Sequence, residues 1–306
     1  MDLRVPEVNI ARRWARKGLG AFVSDAAFEH FLAAYRAGMA TLPPFELFDV
    51  PTSFGTVRVY RFAGPDSGAP VVLLPGRNAS TPMYRANLGP LLEQRAVYAV
   101  DLLGEAGLSV QRKVIRGGVD QAQWLDETLA GLELDLAHLL GVSMGGWTAA
   151  NCAVHRRGRI ASLTLLDPVF TFTGIPAKAI LASVALFAPG VPERFRRGVH
   201  SWIAGGADLE TADIESALID AGAKDFALHT PMPELFSDEE LRSLDVPVLA
   251  LIAGRSVMLD PERAVARARE VLARGEVEIW ADASHAINGE YPEEIAQRTA
   301  RFWDAA

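Results

Sequence analysis

Ser143 stands at the centre of Gly141-Val142-Ser143-Met144-Gly145. A largely apolar run from Leu136 to Leu140 enters this pentad, and a small-residue helical pattern, Gly146-Trp147-Thr148-Ala149-Ala150, leaves it. A strand that turns sharply into a helix holds its middle residue in a strained, exposed conformation with the hydroxyl clear of the backbone. Glycines two before and two after remove side chains that would collide in so tight a turn. With Gly and Ser each near ~7% of residues, the bare pentad arises by chance in roughly one chain in ten of this length, so its strand-to-helix context carries the reading. Ser143 is the candidate nucleophile. A serine hydroxyl needs a neighbouring base to take its proton and later return it to the leaving group. His285, in Ala283-Ser284-His285-Ala286, is the candidate base: it follows the strand pattern Glu276 to Ala281 and precedes a terminal helix pattern, Pro292 to Trp303. The competitors are His30, His138, His155, His200 and His229. His138 lies inside the strand that leads to Ser143, and His155 lies about three turns along the helix that follows it. Nucleophile first and base near the C-terminus is the order that favours His285.

With these residues in place, the chain from about residue 45 to residue 303 resembles an α/β-hydrolase, with similarity to its bacterial carboxylesterase-like branch at Tyr98-Ala-Val-Asp-Leu-Leu-Gly, Gln123-Trp-Leu-Asp-Glu and Gly145-Gly-Trp. Leu73-Leu74-Pro75-Gly76-Arg77-Asn78 occupies the place where that family has His-Gly, a structural position. The resemblance implies an oxyanion hole built from the backbone N–H groups of Arg77 and Met144. Asp101, in the loop Asp-Leu-Leu-Gly-Glu-Ala-Gly-Leu-Ser, is expected to order that loop. The resemblance also implies an acid, placed as Gly-x-x-Asp after the strand Val246 to Ala253, but this chain reads Gly254-Arg255-Ser256-Val257 there. Two carboxylates compete for the role. Asp260 precedes Pro261 and a helical run from Glu262 to Ala273, which is a helix N-cap pattern. Asp167 follows the strand Ser162 to Leu166, at the sheet edge where sites of open α/β sheets form, and is preferred. An arrangement without an acid, in which a neutral group such as Ser256 orients the imidazole, stays open.

The elements that must position these groups alternate. Phe45 to Val50 and Phe54 to Ala63 read as an opening pair of strands around Pro51 to Ser53. Buried-strand patterns follow at Val71 to Leu74, Ala96 to Val100, Leu136 to Val142, Ser162 to Leu166, Val246 to Ala253 and Glu276 to Trp280, with helices such as Val119 to Leu132 and Trp147 to Val154 between them. Such alternation predicts an α/β fold with a mostly parallel, doubly wound sheet. Residues 44–169 and 242–306 are read as this core. The interval 170–241 is too long for a plain crossover. It is read as a helical cap with helices at Ala177 to Phe187, Val191 to Ala204 and Thr211 to Ala223. Phe170, Phe172, Phe187, Trp202 and Phe226 are candidates for an apolar acyl pocket, or singly for the cap's own core. Residues 1–43 form an N-terminal helical extension. Ile10 and Trp14, then Phe28, Phe31, Leu32 and Tyr35, have helical spacing, Ser24-Asp25 caps the second helix, and Arg12, Arg13, Arg16 and Lys17 form a basic cluster suited to solvent, a membrane surface or a partner.

Composition narrows the partners. The 306 residues are 50% hydrophobic, enough for one large core with an insertion, and a net charge of −8 argues against nucleic acid. Cys152, the single cysteine, permits no internal disulfide and reads as a small buried residue. There is no His-Glu-x-x-His, P-loop or dinucleotide glycine pattern, so no metal or cofactor is expected. No run has the length of a membrane span and no signal-peptide pattern opens the chain, so the expected compartment is the cytoplasm. A homo-oligomer is compatible with the sequence. The expected activity is a serine hydrolase acting on an ester, thioester or lactone of a largely apolar small molecule. Alternatives are acyl transfer, cyclisation or rearrangement on the same fold, and a binding protein that has retired the site.

Overall fold

Val71–Leu74 (β4), Ala137–Val142 (β7) and Val248–Ala253 (β10) are apolar almost without interruption because both faces of their sheet are covered. The computed structural model describes residues 3–11, 18–66, 68–187, 198–199, 201–203, 205 and 214–305. The other strands are Ala21–Phe22 (β1), Phe45–Thr52 (β2), Gly55–Phe62 (β3), Val97–Val100 (β5), Val110–Gln111 (β6), Ile160–Leu166 (β8), Phe226–Ala227 (β9) and Gly275–Trp280 (β11). Among the described residues, the main sheet has nine strands in the order β11-β10-β8-β7-β4-β5-β3-β2, with β6 paired to β3. The run from β11 to β5 is parallel throughout. β3 lies antiparallel to both β5 and β2. Pro51 falls within β2, paired to Thr56, which an edge strand tolerates because no ladder donor is lost towards a further neighbour.

Side chains divide between the two faces with the period of two that a strand imposes. Val72, Leu74, Leu139, Leu163, Leu165, Val248, Ala250 and Ile252 join one apolar cluster, with Trp124 and Leu125 of Gly118–Gly131 (α3), Ala149 and Cys152 of Met144–His155 (α4), and Ala264 and Ala268 of the helix Pro261–Val271. Val71, Leu73, Leu140, Val142, Leu166, Leu249 and Leu251 join the other. Their partners are Phe31, Leu32 and Tyr35 of Asp25–Met39 (α1), Leu88 and Leu91 of Arg85–Leu92 (α2), and Ile295 and Phe302 of the helix Pro292–Ala305. Burial pushes the Cys152 thiol pKa well up, and its Sγ faces the Ala122 carbonyl.

The first segment differs from its expected helix. Residues 3–10 are not helical, and Ile10 forms a β-bridge with Phe22. A strand-like contact 12 positions away satisfies Ile10 instead, with Ala11 N–H donating to the Phe22 carbonyl at 2.9 Å. Trp14 and the basic residues Arg12, Arg13, Arg16 and Lys17 lie outside the described residues. Ser24 does cap α1, its hydroxyl accepting from Ala27 N–H at 3.1 Å. α1 packs on the helix Ile214–Asp225, β1 pairs with β9, and His30 Nδ1 lies 2.5 Å from Asp225 Oδ2.

In the long interval, Ala177–Phe187 (α5) is helical as its pattern predicts. The pattern from Thr211 begins its described helix at Ile214 and runs to Asp225. Most of Val191 to Ala204 lies outside the described residues, as does the Phe187 side chain. The remaining aromatics do not share one wall. Phe172 is buried and Phe170 half-buried against the first cluster, whereas Phe226 packs on the second, edge-on to Phe22. Trp202 receives the Lys178 ammonium on its ring face. The sheet face that each residue meets is set by chain path, which spacing does not encode.

Candidate active site

Three adjacent strands end at the same edge. Ser143 is the first residue beyond β7, Asp167 the first beyond β8, and Gly254 the first beyond β10. Ser143 has φ 54° and ψ −115°, in the left-handed half of the map that non-glycine residues avoid. Two anchors hold it there: Ser143 N–H donates to Leu166 O at 2.9 Å, and Trp147 N–H donates to Ser143 O at 3.2 Å as α4 starts. The glycines are needed sterically. A side chain at 141 would run into the Gly145 carbonyl, and one at 145 into the Leu74 carbonyl.

His285 Nε2 lies 2.9 Å from Ser143 Oγ, and His285 Nδ1 lies 2.5 Å from Asp167 Oδ2. The imidazole is 11% exposed and the Asp167 side chain fully buried, so this line of groups is shielded from water at its carboxylate end. Asp167 also sits at positive φ, 43°, with its N–H donating to Leu251 O at 2.9 Å. Its Oδ1 accepts from Ala253 N–H at 3.1 Å and its Oδ2 from the Ser256 hydroxyl at 2.6 Å. A carboxylate held by two donors against one imidazole edge can fix the ring, leaving the other ring nitrogen to exchange a proton with a hydroxyl. Asp260 lies elsewhere in its interactions: it caps the helix Pro261–Val271, accepting from Arg263 N–H at 3.1 Å. Ser256, the neutral group left open as an alternative to an acid, donates its hydroxyl to Asp167 in this structure.

The loop bearing His285 is fixed from both sides. Arg255 N–H donates to Ala283 O at 2.9 Å, and Ala283 N–H to Trp280 O at 3.0 Å. Glu290 accepts from Ser284 N–H at 2.8 Å and from the Ser284 hydroxyl at 2.6 Å. No sequence motif marks Glu290; its spacing of six from Ser284 is the only local signal. The other histidines stand apart. His138 is buried, hydrogen-bonded to Ser162 at 2.8 Å and stacked on Trp303. Burial, then the charge of Arg95, lowers its pKa to about 4. His200 lies outside the described residues.

Gly76, two residues beyond β4, packs on the elbow: a side-chain carbon there would sit 3.6 Å from Ser143 Cβ. The following residue, Arg77, lines one cavity together with Met144, the first residue of α4. A cavity of about 300 Å³ opens beside Arg77 and Met144 and follows one face of α4 through Trp147, Thr148 and Asn151 to His155. Its lining does not include Ser143 or His285. The segment Pro231–Phe236 forms another wall, with Trp147 Nε1–H donating to Glu234 O at 3.1 Å and Trp147 stacked on Phe236. Glu105 is buried against this cavity, 3.6 Å from the Arg77 guanidinium, and desolvation raises its carboxyl pKa despite that cation. Asp101 is fully buried and ties three segments together, accepting from Tyr35 OH, Leu108 N–H and both Thr81 donors at 2.8 to 3.0 Å.

Comparison with known proteins follows the same chain path. Residues 71–298 match the family described as "Alpha/beta hydrolase family". The protein named "Uncharacterized carboxylesterase nap" of Bacillus subtilis (strain 168) is 28% identical over 264 residues, which span 84% of this chain and 86% of the relative. "Carboxylesterase YbfK" of the same strain is 26% identical over 286 residues, spanning 89% and 93%. The crystal structure of carboxylesterase CesB (YbfK) from Bacillus subtilis superposes with a TM-score of 0.84 at 26% identity, covering 92% of this chain and 99% of that one. The crystal structure of naproxen esterase (carboxylesterase NP) from Bacillus subtilis gives the same TM-score, 0.84, at 26% identity and the same coverage, 92% and 99%.

Proposed function

The chain belongs to the alpha/beta hydrolase family and is a carboxylesterase-like enzyme; from that premise we propose that it cleaves a carboxylic ester, thioester or lactone of a largely apolar small molecule through an acyl-enzyme on Ser143. His285 Nε2 takes the hydroxyl proton as Ser143 Oγ attacks the acyl carbon. Asp167 holds the Nδ1–H edge and stabilises the imidazolium that forms. The carbonyl electron pair moves onto oxygen, where the Arg77 and Met144 N–H groups receive it, each worth about 3 kcal/mol in the transition state. The pair then returns to carbon, the alkoxide or thiolate leaves with the proton from His285, and a water activated by the same imidazole releases the acid.

The observation that carries this reading is the unbroken contact line from Ser143 Oγ through His285 to the Asp167 carboxylate. The names of the carboxylesterase relatives support the ester class. The contact between Asp167 and His285 supports an acid in place of the missing Gly-x-x-Asp and weighs against a binding protein that has retired the site. Residues 170–241 are the proposed cap, supported by the position of α5 and the helix Ile214–Asp225 between β8 and β10, and 1–43 the proposed extension, supported by α1. Among the described residues no helix is long and apolar enough to cross a membrane; a cytoplasmic location remains part of the proposal. Turnover of a p-nitrophenyl ester series by wild type and Ser143→Ala is the test. The variant should retain its circular dichroism and lose at least ~10⁴-fold in kcat. Retained turnover in a folded variant sinks the assignment.

A further inference from the structure

Gly76 to Ala79 close a turn in which Ala79 N–H donates to the Gly76 carbonyl at 3.3 Å and Asn78 sits at φ 60°. A positive φ at the third residue of such a turn belongs to the type II geometry, and asparagine tolerates it better than most residues. Types I and II differ in the direction faced by the central peptide, here the one joining Arg77 to Asn78. The partner of its N–H therefore selects the form. That partner is Glu105: its Oε2 accepts from Asn78 N–H at 3.4 Å, while its Oε1 lies 3.6 Å from the Arg77 guanidinium. One carboxylate thus grips both residues of the central peptide.

Glu105 is itself placed by the loop after β5. Its side chain is 8% exposed and its N–H donates to Leu102 O at 3.2 Å. Asp101 anchors both ends of this arrangement, binding Leu108 N–H on the Glu105 loop and Thr81 N–H just past the turn. A buried carboxylate is costly to desolvate unless it is paired and hydrogen-bonded, and the partners of Glu105 are Arg77 and Asn78. The acyl-enzyme route described above makes no use of it.

We propose that Glu105 is a positioning residue of the oxyanion hole: by binding Asn78 N–H and the Arg77 guanidinium together, it holds Arg77 through its side chain and through the peptide that follows it, and so restricts the turning of the Gly76–Arg77 peptide, whose N–H faces the developing oxyanion. This inference rests on the acyl-enzyme reading. Deleting an oxyanion donor outright costs about 10²- to 10³-fold, so a donor left present but mis-aimed should cost about tenfold.

The experiment compares inhibition by a trifluoromethyl ketone with that by the matching methyl ketone. The fluorinated ketone accepts Ser143 Oγ at its carbonyl carbon; the C=O π pair moves to oxygen, the hydroxyl proton passes to His285, and the resulting oxyanion occupies the hole. The methyl ketone binds chiefly without that bond. In Glu105→Leu the preference for the fluorinated ketone should fall about tenfold, kcat should fall in step, and KM should stay within about threefold. Glu105→Gln, which keeps an acceptor for Asn78 N–H, should lose about threefold in preference. A folded Glu105→Leu with the wild-type preference overturns the proposal, including the case in which both ketones weaken alike through a structural effect. Should Glu105→Leu fail to fold, an undiminished preference in Glu105→Gln overturns it. A wild type that shows no preference for the fluorinated ketone fails earlier and overturns the acyl-enzyme reading itself.

Discussion

Asp167→Asn tests the acid by a change of one atom. In the folded protein Oδ1 of Asp167 must accept from Ala253 N–H at 3.1 Å. Asparagine can meet that demand only with its own carbonyl oxygen, which turns its NH₂ towards His285 Nδ1 and Ser256. The Ser256 hydroxyl can rotate to accept. His285 Nδ1 must then accept as well, so the ring carries its proton on Nε2, the atom 2.9 Å from Ser143 Oγ. An imidazole in that tautomer cannot take the hydroxyl proton. The geometry survives and the chemistry is lost, so kcat should fall about 10⁴-fold, equivalent to about 5.4 kcal/mol of transition-state stabilisation. Steady-state hydrolysis of p-nitrophenyl butyrate gives kcat, and thermal melts confirm folding. Asp260→Asn is the matched control: asparagine caps a helix as well as aspartate does, so stability should change by about 0.3 kcal/mol or less and kcat should hold. A loss under tenfold in Asp167→Asn, or a larger loss in Asp260→Asn, refutes the reasoning.

Ser256→Ala removes a hydroxyl that donates to Asp167 Oδ2 at 2.6 Å; a hydrogen bond to a charged group of this kind is worth about 1.5 to 3 kcal/mol, and kcat on the same ester should fall about tenfold. Glu290→Ala frees the Ser284 N–H and hydroxyl, so kcat should drop about threefold, read by the same assay, with a smaller loss in Glu290→Gln, whose carbonyl can still accept from one of them. His138, with its pKa lowered from 6.5 to about 4 by burial, stays neutral in the folded protein while the unfolded chain takes up a proton. Stability is therefore lost as pH falls from 6.5 towards 4, by an amount on the order of a few kcal/mol. Replacing His138 by Gln should flatten the decline in Tm between pH 6.5 and 4.5, and an unchanged slope contradicts the assignment.

The features legible in the sequence are those written locally. The apolar strands alternate with helices at short range, and the turn at Ser143 is spelled by glycines two residues away. Asp260-Pro261 likewise announces a helix cap within three residues. The competition between Asp167 and Asp260 is different. It turns on β8 lying between β7 and β10, a neighbour relation that no spacing expresses. Ser256 was readable as a polar group near the site, but its bond to Asp167 spans 89 positions. Glu105 binds a backbone N–H 27 positions away and Glu290 binds Ser284 at a spacing of six, and neither spacing forms a motif. Ile10 shows the opposite error: its spacing suits a helix, yet its pairing with Phe22 decides the local structure. The aromatics of residues 170–241 fit a pocket by composition, whereas Phe172 and Phe226 pack on opposite faces of the sheet.

The central claim is an activated serine, and active-site labelling with a fluorophosphonate followed by intact mass measures it most directly. Wild type should gain a single adduct that Ser143→Ala lacks, with labelling slowed in Asp167→Asn. A folded wild type that takes no adduct, or an adduct that persists in Ser143→Ala, contradicts the account.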